Sequence, residues 1–269
     1  MIAACASFST SYTPQRYHRT AAIADAEPVG FADCGDCHDD IQGRALIPSY
    51  HEDCESCHGP GGLHVESEEP TDIRFPASSD CMACHEGGRT SHLAWSTGEH
   101  ERAGVICADC HNPHNRQLSH LRQGRPIRFG QLDATSTLCA QCHVDVASRL
   151  NFPSHHPVRE GMLSCTDCHA PHGDRRTALG ASPQRCGGCH QDHEGPWIFE
   201  HAPVAEDCTG CHDPHGSASR NLLDTSEPAL CLSCHTVPDF HQPGDTYYTR
   251  CTDCHGAIHG SYQDAFLRE

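Results

Sequence analysis

The stretch Cys107-Ala108-Asp109-Cys110-His111-Asn112-Pro113-His114 decides how the whole chain is read. Two cysteines three positions apart, with a histidine directly after the second, form the C-x-x-C-H attachment sequence for c-type haem. The spacing follows from the chemistry. Each thiol adds to one vinyl group of the porphyrin, and the adjacent histidine reaches the iron from the same side as its proximal ligand.

Working outward, the pattern occurs ten times. The motifs are Cys34/Cys37/His38, Cys54/Cys57/His58, Cys81/Cys84/His85, Cys107/Cys110/His111, Cys139/Cys142/His143, Cys165/Cys168/His169, Cys186/Cys189/His190, Cys208/Cys211/His212, Cys231/Cys234/His235 and Cys251/Cys254/His255. They use 20 of the 21 cysteines. A zinc half-site, a redox dithiol or a disulfide framework does not require a histidine after every pair. Ten such motifs predict ten covalently attached c haems, with the motif cysteines as thioether sites and the motif histidines as proximal iron ligands.

Of the 25 histidines, 15 stand outside the motifs. They cluster around the even-numbered motifs: His51 and His64, His100 and His114, His155 or His156 with His172, His201 and His215, and His241 and His259. Counting His156 for the adjacent pair gives ten distal ligand candidates for ten irons, hence bis-histidine coordination. His18, His92, His120, His193 and one of His155/His156 read as surface or supporting groups. Methionine competes weakly, because only Met1, Met82 and Met162 exist and Met82 lies inside a motif. Six-coordinate iron has no open position for a substrate, and histidine on both faces favours low potentials.

Three motifs continue as H-x-P-H: His111 to His114, His169-Ala170-Pro171-His172 and His212-Asp213-Pro214-His215. Proline fixes its own φ and extends the residue before it. The second histidine is thereby thrown away from its own haem, too close in sequence to bind the same iron from the opposite face. It must reach a neighbouring haem. His255-Gly256-Ala257-Ile258-His259 varies the theme.

Composition agrees with an interior built on porphyrin. Hydrophobic residues are 36% of the chain, against roughly 45–50% in an ordinary globular domain. Motif starts lie 20, 27, 26, 32, 26, 21, 22, 23 and 20 residues apart, too short for an independent domain around each haem. With 23 Gly and 18 Pro, the expected fold is a multihaem cytochrome c: mostly coil, with short α-helices packed around a haem chain and little or no β-sheet. The expected organisation is an N-terminal segment 1–30, then 31–138 with haems 1–4, then 139–269 with haems 5–10. All form one array, divisible into two pentahaem halves. The widest gap between motifs carries Arg116, Arg122, Arg125 and Arg128, read as partners of propionates or acidic side chains in a solvated loop.

The formal net charge is -18, and every one of the 18 basic residues is arginine. That excludes nucleic-acid binding through a basic stripe. No apolar run approaches the length of a spanning helix. Attachment of c haem is completed outside the bacterial cytoplasm, so an exported, periplasmic or outer-membrane protein is expected. The N-terminal residues lack the charged and apolar segments of a leader. Ile2-Ala3-Ala4-Cys5 is similar to the end of a lipoprotein signal, leaving two readings of Cys5: a lipid anchor or a free thiol.

The ten motifs, the C-H-x-P-H signatures and Cys54-Glu55-Ser56-Cys57-His58-Gly59-Pro60-Gly61 resemble the decahaem cytochromes of the MtrA/DmsE/PioA family, over about Asp33 to Gly260. The resemblance implies a wire of bis-histidine haems seated in an outer-membrane β-barrel porin. Its partners would be a periplasmic electron donor and an extracellular cytochrome, mineral or other oxidant, in anaerobic respiration and extracellular electron transfer. It implies an electron carrier and no enzyme. Two alternatives stand beside it: a filament-forming extracellular multihaem cytochrome, and a multihaem reductase, which would need a five-coordinate haem.

Overall fold

The structure is a computed structural model that describes residues 23, 25–39, 41, 53–86, 92–111, 113–114, 131–173, 182–236 and 250–268. Cys5, His18, His51, His120, His241 and the four arginines of the widest gap lie outside these residues. What is described is coil punctuated by single helical turns. The longest helix among the described residues, Ser78–His85, has 8 residues. The sheet consists of two two-residue strands, Phe199–Glu200 and Gly260–Ser261, paired antiparallel. No helix among the described residues is long and apolar enough to cross a membrane.

The helical turns are made by the motifs themselves. In eight of them the histidine N–H donates to the carbonyl of the first cysteine, at 2.8–3.0 Å. This closes one turn and brings positions i and i+3, the two cysteines, to one face. So short a helix needs its ends satisfied. Asp109 and Asp167, inside their motifs, each accept the N–H of the residue before the first cysteine at 2.8 Å. Asp53 and Asp207, just before theirs, accept an N–H of the first turn at 3.0 and 2.9 Å. Each carboxylate also sits at the positive end of its turn.

The chain divides into two compact units, Met1–Pro126 with Pro171–Asp174, and Ile127–Ala170 with Arg175–Glu269. In the first, Trp95 is buried and donates its indole N–H to Glu101 at 2.7 Å. In the second, Leu150 is buried. Among the described residues these are the only buried hydrophobic side chains. Meanwhile Ile198, Val144 and Phe266 are 64–67% exposed. Two apolar residues cannot hold a domain of this size, at about 1.5–3 kcal/mol each. The polypeptide is a set of walls for a core of another chemistry.

A motif absent from the sequence reading organises both units. Ser78 and Ser136, each three residues before a first cysteine, are buried, and their hydroxyls accept the N–H of Cys107 and Cys165 at 3.3 and 3.1 Å. Each thus caps the following haem motif from 29 residues upstream.

Candidate haem centres

An iron held between two imidazoles dictates a distance. An iron–nitrogen bond of about 2 Å and about 1.15 Å from nitrogen to ring centre, on both sides, put the two ring centroids about 6.3 Å apart. Motif histidines meet other histidines at this separation. In the first unit His38 faces His64 at 6.3 Å, His58 faces His114 at 5.8 Å, and His111 faces His172 at 5.8 Å, with ring planes within 17–19°. In the second unit His169 faces His215 at 5.9 Å and 11°, His212 faces His259 at 6.2 Å and 18°, and His235 faces His201 at 6.0 Å and 23°. His190 lies 6.1 Å from His156 with the rings steeply inclined, 65°.

The pairs have an order. His114, three residues after His111, lies against the proximal histidine two motifs earlier, and so do His172, His215 and His259. His156 and His201 instead precede the motif histidines they face and skip one motif. From the fourth motif on, each histidine just past an even motif therefore laces back to the preceding even motif.

The second ring nitrogen is also held. Nδ1 donates to a backbone carbonyl in His58 (Arg74, 3.0 Å), His64 (Glu69, 2.9 Å), His100 (Pro171, 3.1 Å), His156 (Pro214, 2.7 Å), His212 (Asn221, 2.7 Å) and His255 (Phe266, 2.6 Å). A carbonyl can only accept, so Nδ1 carries the proton and the Nε2 lone pair is left for iron, the arrangement typical of metal-ligating histidine. His155 differs. Its Nδ1 reaches the Phe152 carbonyl and its Nε2 the Glu160 carboxylate at 3.2 Å. Both nitrogens of His155 are thus taken up by protein partners, whereas His156 is held at Nδ1 by the Pro214 carbonyl and turns its Nε2 lone pair elsewhere.

Electrostatics favour the ligating form. Burial, then the facing histidine, holds the pKa of His169 and His201 below the ordinary value; burial followed by His58 does so for His114. His111 is lowered by burial and by His85. A histidine must be neutral to bind a metal.

The cysteines show how the motifs follow one another. First cysteines of consecutive motifs interact directly: Cys34 with Cys54, Cys81 with Cys107, Cys186 with Cys208, and Cys231 with Cys251. As free thiols they perturb each other, Cys107 being held down to about 6 by its bond with Cys81, and Cys231 pushed up to about 11 by burial and Cys251. Second cysteines approach at the intervening steps, Cys168 with Cys189 and Cys211 with Cys234. Within each unit, order along the chain is order in space. Glu227, Cys231 and Cys251 bring three ligand atoms within 4.8 Å, but both thiols belong to haem motifs, and Glu227 accepts the Thr252 N–H and hydroxyl at 2.9 and 2.8 Å.

The polypeptide does not enclose every residue expected to hold haem. Cys37, Cys84, Cys142 and Cys254, expected as thioether sites, are exposed, whereas Cys34, Cys81, Cys139 and Cys251 of the same motifs are half-buried. Cys57, Cys110, Cys168, Cys189 and Cys234 are exposed as well. The cause is the single turn: its first cysteine packs toward a neighbouring motif, and the second, three residues on, is carried to the outer end. His143, expected as a proximal ligand, is also exposed. It stands at the N-cap of the helix Val144–Arg149, with φ of -89° and ψ of 56°, and its N–H donates to the Cys139 carbonyl at 3.0 Å. Its charged form acts on His169, helping to hold that pKa down. For the nine exposed second cysteines and for His143, the case for haem binding rests on motif spacing and not on a site walled by protein.

Elsewhere the walls fit the group they would hold. A cavity of about 320 Å³ is lined by Cys186, His190, Cys208, His259 and Trp197. The Trp197 indole nitrogen is buried with no hydrogen-bond partner among the described residues. A donor of this kind beside two haem motifs suits a porphyrin carboxylate.

Two residues have a geometry that the sequence reading set aside. His92 lies 6.0 Å from His85, and His193 lies 6.2 Å from His190. Nothing in the sequence singles them out, because neither has the proline turn or a place beside an even motif.

Comparison with known proteins agrees with this architecture. The doubled CXXCH motif family matches residues 100–148, 155–195 and 201–239. A multiheme cytochrome MtrA from Shewanella baltica (strain OS185) is 33% identical, the match covering 77% of this chain and 67% of that protein. The paired motifs attach haem c covalently, and electron transfer is what such an assembly does. By its motifs, its coil-and-turn fold and that identity, the chain belongs to the MtrA-like multihaem c-type cytochromes.

Proposed function

We propose that this chain conducts electrons along ten covalently bound c haems, each held between two histidines, as the periplasm-facing core of an outer-membrane conduit. The observation that carries the reading is the set of seven motif histidines facing a second histidine at 5.8–6.3 Å. The twenty motif cysteines form the thioethers, the exposed Cys37, Cys84, Cys142 and Cys254 among them. The ten motif histidines, His143 included, are the proximal ligands. His64, His114, His156, His172, His201, His215 and His259 are distal ligands. His51, His100 and His241 complete the ten.

Bound haem supplies the one-electron chemistry. The polypeptide supplies order, spacing and ligand field. The carbonyls that accept from Nδ1 fix the tautomer and aim Nε2. Within each unit the laced histidines tie one even-numbered haem site to the chain that follows another. With both axial positions filled by imidazole, nothing among the described residues reserves an open site with acid or base groups beside it, as a reductase requires.

On this reading the partners are a β-barrel porin-like protein, a periplasmic donor and an extracellular acceptor. Low-temperature spectroscopy of the oxidised protein tests the ligation, and fractionation tests the partner. The reading expects uniformly low-spin iron, no carbon monoxide binding, and co-purification with an outer-membrane barrel. A substantial high-spin fraction that binds carbon monoxide would favour the reductase. Long polymers without a barrel would favour the filament.

A further inference from the structure

Glu55 is the second residue of the second motif, and its carboxylate collects three backbone N–H groups from outside that motif. Oε1 accepts from Val29 at 3.0 Å and from Gly61 at 2.9 Å, and Oε2 accepts from Gly30 at 3.0 Å. Burial opposes a charge there, but the N–H groups of Val29, Gly61 and Gly30 outweigh it and hold the carboxyl below its ordinary pKa. The group is an ionised acceptor, and hydrogen bonds to a carboxylate are roughly twice as strong as those between neutral groups.

The donors stand at the starts of two short helices. Gly30 directly precedes Phe31–Cys37, which ends at His38, and Gly61 directly precedes Gly62–Ser67, which carries His64. His38 and His64 face each other at 6.3 Å with ring planes 18° apart, the proximal and distal candidates of haem 1. The same joint is closed by the Gly62 N–H, which donates to the Glu27 carbonyl at 2.9 Å. A Cβ on Gly62 would lie 2.7 Å from that oxygen, so the chain before the first motif runs directly against the start of the His64 helix. The anchor on the His64 ring does not hold it against His38. Its Nδ1 donates to the Glu69 carbonyl, only five residues on, so ring and anchor move together. His100 and His156 differ, since their acceptors lie 71 and 58 residues away. For His64 the long-range tie runs through the backbone, and Glu55 makes it.

On the reading of His38 and His64 as the axial ligands of haem 1, we propose that Glu55 is a positioning residue that sets the gap between them: it clasps the segment leading to the proximal histidine to the helix that carries the distal one, and so keeps the distal position of haem 1 closed. Groups that hold a ligand in place without touching the metal govern how firmly it binds. Without the clasp the helix Gly62–Ser67 is free to move away from His38, and haem 1 opens to outside ligands while the other haems stay as they were.

The test uses the mature holoprotein carrying Glu55→Ala, His64→Ala, or both. Haem content is read first from the mass of the denatured chain, then carbon monoxide uptake by the reduced protein, then ferric spin state by electron paramagnetic resonance. The proposal expects no uptake by the wild type, uptake by the share of one haem in His64→Ala, and uptake rising toward that same share in Glu55→Ala with haem content unchanged. The double variant should take up no more than His64→Ala alone, because two changes that act on one ligand do not add. Glu55→Gln keeps the acceptor at Oε1 and loses the one at Oε2, so it should take up less than Glu55→Ala, and it carries the test if the alanine variant is not recovered with its haems. Glu55 variants that hold their haems, stay wholly low-spin and take up no carbon monoxide would overturn the proposal, whatever their thermal midpoint. A double variant that exceeds His64→Ala by the share of another haem would overturn it as well. A His64→Ala protein that stays low-spin without uptake would instead sink the reading of His64 as a ligand, and that single variant distinguishes the two failures.

Discussion

His100 and Pro171 are 71 residues apart, and the imidazole Nδ1 of the first donates to the carbonyl of the second at 3.1 Å. His156 and Pro214 repeat the bond at 2.7 Å. In both cases the acceptor directly precedes a histidine that faces another motif, His172 or His215. One distal candidate is therefore hung on the backbone that presents the next, and the unit of repetition is a pair of haem sites.

That backbone passes through glycine. Gly216, with φ of 154°, lies so close to the Arg149 carbonyl that a Cβ would collide with it. Gly216→Ala should destabilise the protein by about 1–3 kcal/mol, read as a lower midpoint for thermal loss of the low-spin spectrum. Gly210→Ala, where nothing lies within 4 Å of the added carbon, should leave the midpoint unchanged.

The adjacent pair His155 and His156 gives a sharp contrast. His156→Ala should convert one haem to high spin while all ten stay attached. His155→Ala should leave every haem low-spin, because its nitrogens are engaged by Phe152 and Glu160. Ferric absorption spectra of the two variants check this, and the reverse outcome would exchange the roles.

The lowered histidine pKa values set a pH dependence. His111, His114, His169, His201 and His259 resist protonation in the folded chain, first through burial. The unfolded chain then binds protons at a higher pH than the folded one, so stability rises with pH across that window. It is full above the ordinary histidine value of about 6.5 and is lost as pH falls from there through the folded values. Acid titration should release distal ligands and produce high-spin iron only at a pH below the ordinary histidine value. A spectrum constant into the carboxylate range would contradict this.

Ser136 is 1% exposed and accepts the Cys165 N–H. Ser136→Ala leaves that donor unpaired in a buried place, at a cost of about 1–3 kcal/mol. The thermal midpoint should fall with haem content unchanged.

The C-x-x-C-H motifs could be read directly because their spacing suits two thioether bonds and an adjacent iron ligand, and they led to the coil-and-turn fold. An apolar-poor chain broken every 20–32 residues by a haem site has no long helix to form. The even-motif flanks singled out His114, His172, His215 and His259, and the proline turns explain why the first three leave their own motifs. Which motif each one meets was not legible. The choice depends on long-range bonds such as His100 to Pro171, which leave no local pattern. The same limit hid Ser78 and Ser136, whose partners lie 29 residues along the chain. Burial was equally hidden: the spacing treats Cys139 and Cys142 alike, yet the turn half-buries one and exposes the other.

The account rests on the claim that porphyrin fills the interior the polypeptide lacks. The mass of the mature chain, measured intact after denaturation, tests it most directly. Ten haem masses above the polypeptide are predicted, because thioether bonds survive unfolding. A mass equal to the bare chain, or short of ten by several haems, would contradict it.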